Sequence, residues 1–205
     1  MHQSRAETIR AAPIARKGTQ YIARPANHAS RGVSIVMAMR DMLNLAKTSK
    51  EVEMMVRNKQ VKLNGRTVKN IHDAVKLFNI LEADKRYSLG LLPTGRFIFE
   101  PTKASTRLCK IIGKKILNHG VQQYNLHDGT NFVSKDKYVV GDSIEVDLEN
   151  KVKKVHKMEK GKEIFVFDGR SAGKKGIIHQ MEGKKLEVKF ENRSVTLNSS
   201  HVMVI

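Results

Sequence analysis

Residues 40–66 constrain the fold of this chain more than any other segment, because they predict two short helices followed by a tight hairpin. Apolar residues recur at helical spacing in both helices. They are Met39, Met42, Leu43 and Ala46 in the first helix and Val52, Met55 and Val56 in the second. Asn64-Gly65 then lies between two short β-runs, and this dipeptide favours a type I′ turn because both residues tolerate positive φ angles.

Thr48, Ser49, Lys50 and Glu51 form a capping-box sequence at the start of the second helix. The Thr48 hydroxyl can accept from the Glu51 backbone N–H, and the Glu51 carboxylate can accept from the Thr48 N–H. A helix start leaves further N–H groups unpaired at the positive end of the helix dipole, and Lys47 and Lys50 flank it. This arrangement favours phosphate binding over plain helix capping.

Basic side chains surround the helix–helix–hairpin segment and predict a nucleic-acid-binding surface. They are Arg40, Lys47, Lys50, Arg57, Lys59, Lys62 and Arg66. Arg40 and Lys47 are expected to be exposed. The whole chain supports this prediction, because 38 Lys and Arg residues against 20 Asp and Glu give the 205 residues a net charge of +18. Such an imbalance is self-repulsive and indicates a polyanionic partner, of which nucleic acid is the commonest.

Several classes of function find no support in the sequence. Cys109 is the only cysteine, and its apolar neighbours predict a small buried side chain in a reducing compartment. The eight histidines show no metal-ligand spacing, so no bound metal is expected. No other cofactor and no small-molecule substrate are expected either. No apolar run reaches the ~20 residues of a membrane span, and the N-terminus lacks the apolar core of a signal peptide. A cytoplasmic protein without membrane contact is therefore expected.

His127-Asp128 resembles a catalytic pair only superficially, because adjacent residues on extended backbone point in opposite directions. Asp128-Gly129 instead predicts a turn in which the Asp128 carboxylate bonds the local backbone. No Ser–His–Asp context and no pair of carboxylates in an apolar setting stands out. The chain is therefore not expected to be an enzyme.

Proline, glycine and charge divide the chain into four predicted segments. They are a basic arm (1–34), a small α/β domain (35–100), a β-rich central domain (101–160) and a small β-barrel (161–205). The predicted fold class is α+β with several domains. The residues of the arm predicted to contact RNA are Arg16, Lys17, Arg24 and His28, with Tyr21 as its best base-stacking side chain.

Short apolar or alternating runs predict β-strands over most of the chain after the hairpin. Residues 74–78 are compatible with a turn or a helix leading into a strand, whereas residues 87–92 and 96–99 predict strands that extend the hairpin. From residue 107 onward turn signals recur about every 8–12 residues. The runs between them include the segment 138–140, and five short runs after residue 161 fit an SH3-like barrel.

Glycines crowd one connection of the last segment, where the backbone must turn sharply or lie close to another chain. These glycines are Gly169, Gly173 and Gly176, and the basic residues between and beside them are Arg170, Lys174 and Lys175. A phosphate-binding P-loop has four residues between its glycines and a following Lys-Ser or Lys-Thr, and this loop has neither. It is better explained as a strand connection that brings basic side chains to a sugar–phosphate backbone.

The segment MRDMLNLAKTSKEVEMMVRNKQVKLNGRTV resembles the S4-type RNA-binding domain, also called the αL fold. The segment GKEIFVFDGRSAGKKGIIHQME resembles a KOW motif. With AAPIARKGTQYIARP, RLCKIIGKKI, YNLHDGTN, YVVGDSIEVDL and HVMVI in the same order, residues 6–205 are similar to the S4e family of small-subunit ribosomal proteins, with an archaeal leaning. The resemblance places Arg40, Asp41, Lys47, Thr48, Glu51 and Gly65 on the RNA-binding motif. The arm departs from the family, because Tyr21 stands where a tryptophan is usual.

The resemblance implies a structural constituent of the small ribosomal subunit that binds ribosomal RNA and takes part in translation. Its implied partners are that RNA and neighbouring ribosomal proteins, and its implied location is the ribosome in the cytoplasm. Two alternatives stay open. One is a free RNA-binding regulatory or quality-control factor, and the other is an RNA-modifying enzyme, for which the chain leaves little room.

Overall fold

The computed structural model describes residues 2–27, 32–117, 120–190 and 193–205. The chain divides into two compact units, Met1–Ala104 and Ser105–Ile205. Within the described residues both units consist mostly of antiparallel β-sheet, and one α-helix, α1 (Ser49–Arg57), is present. The expected α+β class is therefore confirmed only in part, since the protein is a mostly β, multi-sheet chain with few helices. The four-segment domain division stays a prediction.

The described residues of the first unit form three sheets. The arm pairs with itself through β1 (His2–Ser4) and β2 (Tyr21–Ala23), with a 3-10 turn at Arg5–Glu7. A second pair is formed by β3 (Gly32–Ser34) and β6 (Ala74–Lys76). The third sheet has the order β5-β4-β7-β8-β9, with β4 (Lys62–Leu63), β5 (Arg66–Thr67), β7 (Ile80–Glu82), β8 (Arg86–Leu91) and β9 (Phe97–Pro101). The ambiguous segment 74–78 thus begins as a strand.

The first predicted helix is shorter and wider than its sequence indicates. It is a π-helix over Met37–Met42, and the Leu43 N–H donates to Ala38 O at 2.9 Å, five residues back. Asn44 ends it with a φ of 54°, a left-handed conformation that asparagine tolerates. Met39 and Ala46 are buried as predicted, but Ala46 lies beyond the helix. The apolar spacing therefore identified buried positions better than it identified the helix end.

Helix α1 and the hairpin after it follow the predictions closely. Val52 and Val56 are buried on one face of α1. The turn residues Asn64 and Gly65 have φ angles of 52° and 79°, as a type I′ turn requires. The buried Asn64 side chain also accepts from the Ile80 N–H at 2.9 Å, which ties the hairpin to β7.

Lys59 closes α1 in a conformation that glycine prefers. Its φ is 58°, and the N–H groups of Lys59 and Gln60 donate to Val56 O and Met55 O at 3.0 Å each, in a Schellman arrangement. We expect Lys59→Gly to raise the free energy of unfolding by about 0.5–1 kcal/mol, because glycine carries no Cβ penalty there. Lys59→Ala removes the same charge and keeps the Cβ, so urea unfolding of that control should show no gain.

In the second unit, residues 105–117, 120–190 and 193–205 form two five-stranded sheets. The central sheet has the order β12-β11-β10-β13-β14, with β10 (Thr106–Ile116), β11 (Gln122–Leu126), β12 (Asn131–Ser134), β13 (Ser143–Asp147) and β14 (Val152–His156). The C-terminal sheet has the order β18-β17-β16-β15-β19, with β15 (Glu163–Val166), β16 (Lys175–Glu182), β17 (Lys185–Lys189), β18 (Ser194–Asn198) and β19 (Val202–Val204). Each sheet buries its own apolar cluster.

One predicted strand of the central sheet is absent from the described structure. Residues 138–140 form an irregular connection in which Val139 and Val140 are exposed. Tyr138 explains the difference, because it packs edge-on against the buried Tyr124 with ring centroids 5.1 Å apart. The Tyr138 N–H also donates to the Tyr124 hydroxyl at 2.9 Å. This backbone group is therefore paired with a side chain and not with the backbone of a neighbouring strand.

A buried lysine joins the two sheets of the second unit. Lys110 lies on β10, and its Nζ donates to the backbone oxygens of Ser199 and Val202, the latter at 2.6 Å. The Ser143 hydroxyl of β13 accepts from the Val204 N–H at 2.9 Å in the same region. Burial lowers the pKa of Lys110 to about 8.

The low pKa of Lys110 predicts a pH-dependent stability. Between about pH 8 and 10.5 the folded chain releases a proton that the unfolded chain retains, so stability from this group rises with pH across that window. The gain of wild type relative to Lys110→Met should reach at most about 3 kcal/mol, since one pKa unit corresponds to about 1.4 kcal/mol. Denaturant unfolding of both proteins at pH 7.5 and 10.5 measures it, and parallel pH profiles would contradict it.

Candidate nucleic-acid interface

At the start of α1, one of the two predicted capping hydrogen bonds is present, and the second has a different donor. Thr48 Oγ1 accepts from the Glu51 N–H at 3.2 Å, which confirms the N-cap. The Glu51 carboxylate, however, accepts from the Lys47 N–H at 2.7 Å. That backbone hydrogen bond is the main reason why the pKa of Glu51 lies below its ordinary value. Glu51 therefore draws the chain before the helix back over the helix start.

Arg40 is not the freely exposed cation that the sequence predicts. Its Nε and Nη2 donate to the two carboxylate oxygens of Asp41 at 2.8 and 2.9 Å, and its Nη1 donates to Ser49 Oγ at 3.2 Å. The hydrogen bond with Asp41 raises the pKa of Arg40. Only 28% of the Arg40 side chain is exposed. Arg40 joins the π-helix to the start of α1, and Arg40→Glu would break this link and add charge repulsion with Asp41.

The arm is organised by Arg5, a residue that the sequence analysis did not select. Its Nε and Nη2 donate to Thr19 O and Thr19 Oγ1 at 2.7 and 2.9 Å, and its Nη1 donates to Ala15 O. Gly18 fits against this guanidinium with a φ of 140°, and a Cβ there would lie 2.7 Å from Arg5 Nη2. No spacing rule marks such an arginine, because its acceptors belong to residues ten and fourteen positions away and two of the three are main-chain oxygens.

A cleft of about 790 Å³ lies between the arm, the π-helix and the start of α1. Three residues predicted to bind RNA line it, namely Lys17, Tyr21 and Arg40. Residues that the sequence analysis missed also line it, notably His2, Arg5 and Asn44. Tyr21 is 54% exposed and stands edge-on to the His2 ring with centroids 5.1 Å apart. The cleft thus combines cationic side chains with a partly exposed aromatic ring.

The other predicted contacts of the first unit are exposed but are not gathered in the cleft. These are Arg16, Arg24, Lys47, Lys50, Arg57, Lys59, Lys62 and Arg66. Arg57 is already paired with Glu53 at 2.7 Å one helical turn away. Thr48 is exposed, with its hydroxyl engaged in the cap. His28 lies outside the described residues.

The glycine-rich loop of the second unit presents Arg170, Lys174 and Lys175 to solvent. Gly169 and Gly173 have φ angles of 87° and 85°, so both are positions where the backbone turns into the left-handed region. Gly176 serves packing, because a Cβ there would lie 2.6 Å from Val188 Cγ1 and 3.0 Å from Lys189 O. The sharp turn predicted for this connection is present at Gly169 and Gly173, whereas the close approach at Gly176 is to the protein's own β17 and not to another chain.

A buried ion pair in the second unit was not foreseen. Arg107 Nη2 lies 3.3 Å from Asp128 Oδ2, and the two side chains are 1% and 0% exposed. Asp128 also keeps its predicted turn role, since its Oδ1 accepts from the Thr130 N–H at 2.9 Å and Gly129 has a φ of 84°. Cys109 beside it is buried as predicted, and burial raises the pKa of its thiol to about 12.

Two classes of site have no counterpart in the part of the chain that the structure describes. No group of three or more His, Cys, Asp or Glu side chains is arranged there to hold a metal ion. No helix among the described residues is long and apolar enough to cross a membrane.

Comparisons with known proteins find similarity to ribosomal proteins of one family. A family profile described as "Ribosomal family S4e" matches residues 83–153. The small ribosomal subunit protein eS4 of Methanocella arvoryzae is 29% identical over 191 residues, covering 88% of this chain and 81% of the relative. That of Archaeoglobus fulgidus is 27% identical over 218 residues, covering 100% and 93%. The crystal structure of the 30S ribosomal protein S4e from Thermoplasma acidophilum superposes with a TM-score of 0.72 at 26% identity, covering 85% of this chain and 95% of that one.

Proposed function

The chain belongs to the S4e family of ribosomal proteins, and on that premise we propose that its basic surfaces hold ribosomal RNA within the small ribosomal subunit. Membership confirms that it is a structural protein of the small subunit and not an enzyme. Its partners are then ribosomal RNA and neighbouring ribosomal proteins, and its location is the ribosome. The observation that carries the RNA proposal is the cleft beside the start of α1, where cations and an exposed tyrosine meet.

The action of these surfaces is architectural. Cationic side chains at separated points neutralise phosphates that would repel one another when RNA helices pack together. Lys17, Lys47 and Lys50 form no salt bridge within the described part of the chain, so their charges are available to RNA. A-form RNA is recognised mainly through phosphates and 2′-hydroxyls, so most of these contacts should be independent of base sequence.

The finer fold assignment is also a proposal. The π-helix, α1 and the Asn64-Gly65 hairpin support an S4-type RNA-binding domain within residues 35–100. The strand order of the C-terminal sheet and the turn at Gly169 and Gly173 support an SH3-like KOW barrel within residues 161–205. The exposed Arg170, Lys174 and Lys175 give that barrel a second RNA contact.

Sedimentation of ribosomes tests the proposed function in cells. A core protein should remain with the small subunit through a high-salt wash, at about one copy per subunit by quantitative mass spectrometry. Loss at modest salt, with substoichiometric recovery, would instead favour a free regulatory or quality-control factor.

The purified protein supplies a second test. Affinity for a small-subunit rRNA fragment should fall steeply as salt rises, with a slope of log affinity against log salt of about −5 to −9 if about six to ten phosphates are neutralised. A nearly flat salt dependence would contradict phosphate neutralisation as the basis of binding.

A further inference from the structure

We infer that the cleft beside the start of α1 receives a single unpaired nucleotide of RNA, swung out from a bulge or loop. This inference rests on the proposed RNA-binding function and adds the class of ligand that this one site takes. Backbone contacts along a duplex require only exposed cations. The cleft offers more than that, in its concave shape, its apolar lining residues and its aromatic side chain.

The size of the cleft fits one nucleotide and not a duplex. Its volume of about 790 Å³ lies within the range of sites that enclose small molecules, roughly 300–1,000 Å³. An RNA duplex presents a broad, shallow minor groove and a convex backbone, and such a surface cannot enter a cleft of this size. An unstacked base with its ribose and phosphate can.

The wall of the cleft suits the flat apolar face of a base. Pro13, Ile14, Ile22 and Ile71 contribute to the lining, and Tyr21, a residue that is about half exposed, lines the cleft with them. The T-shaped contact with His2 holds the Tyr21 ring in place, and the 54% exposure of Tyr21 leaves part of the ring accessible. Stacking on an exposed aromatic ring is the usual way in which proteins hold unpaired bases.

The charges of the cleft suit a single phosphate group. Arg40 is neutralised by Asp41, but the three hydrogen bonds from Arg5 go to neutral oxygen atoms, so its positive charge is uncompensated. Lys17 has no salt-bridge partner among the described residues and is free to reach a phosphate. The net field within the cleft is therefore positive despite the presence of Asp41.

Asn44 is positioned to contact the edge of the base. It lines the cleft, is exposed, and is held at a φ of 54° at the end of the π-helix. An asparagine amide carries both a donor and an acceptor, which is what the Watson–Crick edge of an unpaired base requires. Because glycine also accepts this φ, Asn44→Gly removes the amide without straining the backbone.

The test uses the full chain and an RNA hairpin with one unpaired 2-aminopurine, compared with the same hairpin without the bulge. We expect quenching of aminopurine fluorescence on binding, and at least about 10-fold tighter binding of the bulged hairpin, since one stacked base contributes a factor of this size. Tyr21→Ala should lose that preference and the quenching, whereas Tyr21→Phe should keep both. Asn44→Gly should reduce the preference by a smaller factor.

Each outcome decides between the hypotheses. Equal, salt-dependent binding of both hairpins by wild type and Tyr21→Ala would overturn the nucleotide site and leave RNA binding intact. Failure to bind either hairpin or the rRNA fragment would count against the proposed function itself. Adenosine monophosphate is the control for a free-nucleotide site, and its binding as tightly as the bulged hairpin would overturn the assignment to an RNA bulge.

Discussion

Asp128→Ala is expected to lower the free energy of unfolding of the Ser105–Ile205 unit by about 3–5 kcal/mol. The substitution removes the counter-charge of Arg107 in a place without solvent, because the two side chains are 1% and 0% exposed. A cation left alone there loses its hydration without receiving a charge in return. The effect should appear as a loss of β-sheet circular dichroism at lower urea concentration.

The surroundings of Arg107 explain why neighbouring groups cannot substitute for Asp128. Its Nη2 also donates to Thr130 Oγ1 at 3.1 Å and to Asn150 Oδ1 at 2.9 Å, but both acceptors are neutral. Its Nε and Nη1 are buried with no acceptor among the described residues. Asp128 Oδ1 also accepts from the N–H and the hydroxyl of Thr130. Loss of the Asp128 carboxylate therefore also releases Thr130, which is one of the two neutral acceptors of Arg107.

Two variants control for charge and for the pair itself. Glu149→Ala removes an acidic residue of the same unit whose pair with Lys151 is largely exposed, and it should leave the free energy of unfolding nearly unchanged because solvent screens such a pair. The double variant Arg107→Met, Asp128→Leu should be less destabilised than Asp128→Ala, because no charge is left buried. If Asp128→Ala and Glu149→Ala unfold alike, the buried pair does not stabilise this unit.

The double variant Lys47→Ala, Lys50→Ala should weaken binding to small-subunit rRNA by about 10- to 30-fold at physiological salt. Both lysines are exposed beside the start of α1, and neither forms a salt bridge within the described residues. Each phosphate contact that is lost should also reduce the salt slope by about 0.7–0.9. Filter binding across a salt series measures both quantities.

The matched control removes two lysines whose charges are already neutralised. Lys151 pairs with Glu149 at 2.8 Å, and Lys153 pairs with Asp147 at 2.9 Å. Lys151→Ala, Lys153→Ala changes the net charge of the chain equally but should reduce affinity far less. Equal losses in the two double variants would indicate that net charge, and not the helix start, governs binding. Arg40 is unsuitable for this test because its replacement would disturb the fold.

Local rules predicted the helix cap, the hairpin and much of the β-structure, because these depend on residues close together in the chain. Thr48 caps α1 through a hydrogen bond to a residue three positions away, and Asn64-Gly65 turns with backbone angles that few other pairs accept. The strand prediction for residues 138–140 was wrong because a contact distant in sequence overrides the local pattern there. The apolar residues of this segment fit a strand, but the contact of Tyr138 with Tyr124 decided its conformation.

The sequence predicted the types of residue in the candidate site but not which of them lie together in one cleft. Lys17 and Tyr21 were selected from their residue types, but nothing local indicates that they share a cleft with Asn44. The role of Arg5 depends on carbonyl groups at Ala15 and Thr19, which become acceptors only when the arm folds on itself. Side-chain partners that are distant in sequence cannot be inferred from spacing.

The sequence by itself determined that this protein is a basic, mostly folded chain with a capped helix and a tight hairpin, and it predicted an RNA partner, because charge, turn chemistry and helix capping are properties of residues and their near neighbours. Only the tertiary structure decided which charges are available. It neutralised Arg40 with Asp41, buried Arg107 against Asp128, and left Lys47 and Lys50 without salt-bridge partners among the described residues. The reason is that the free energy of a charge depends on its solvation and on the groups within a few ångströms of it. Both the solvation of a charge and its neighbouring groups are determined by the folded structure.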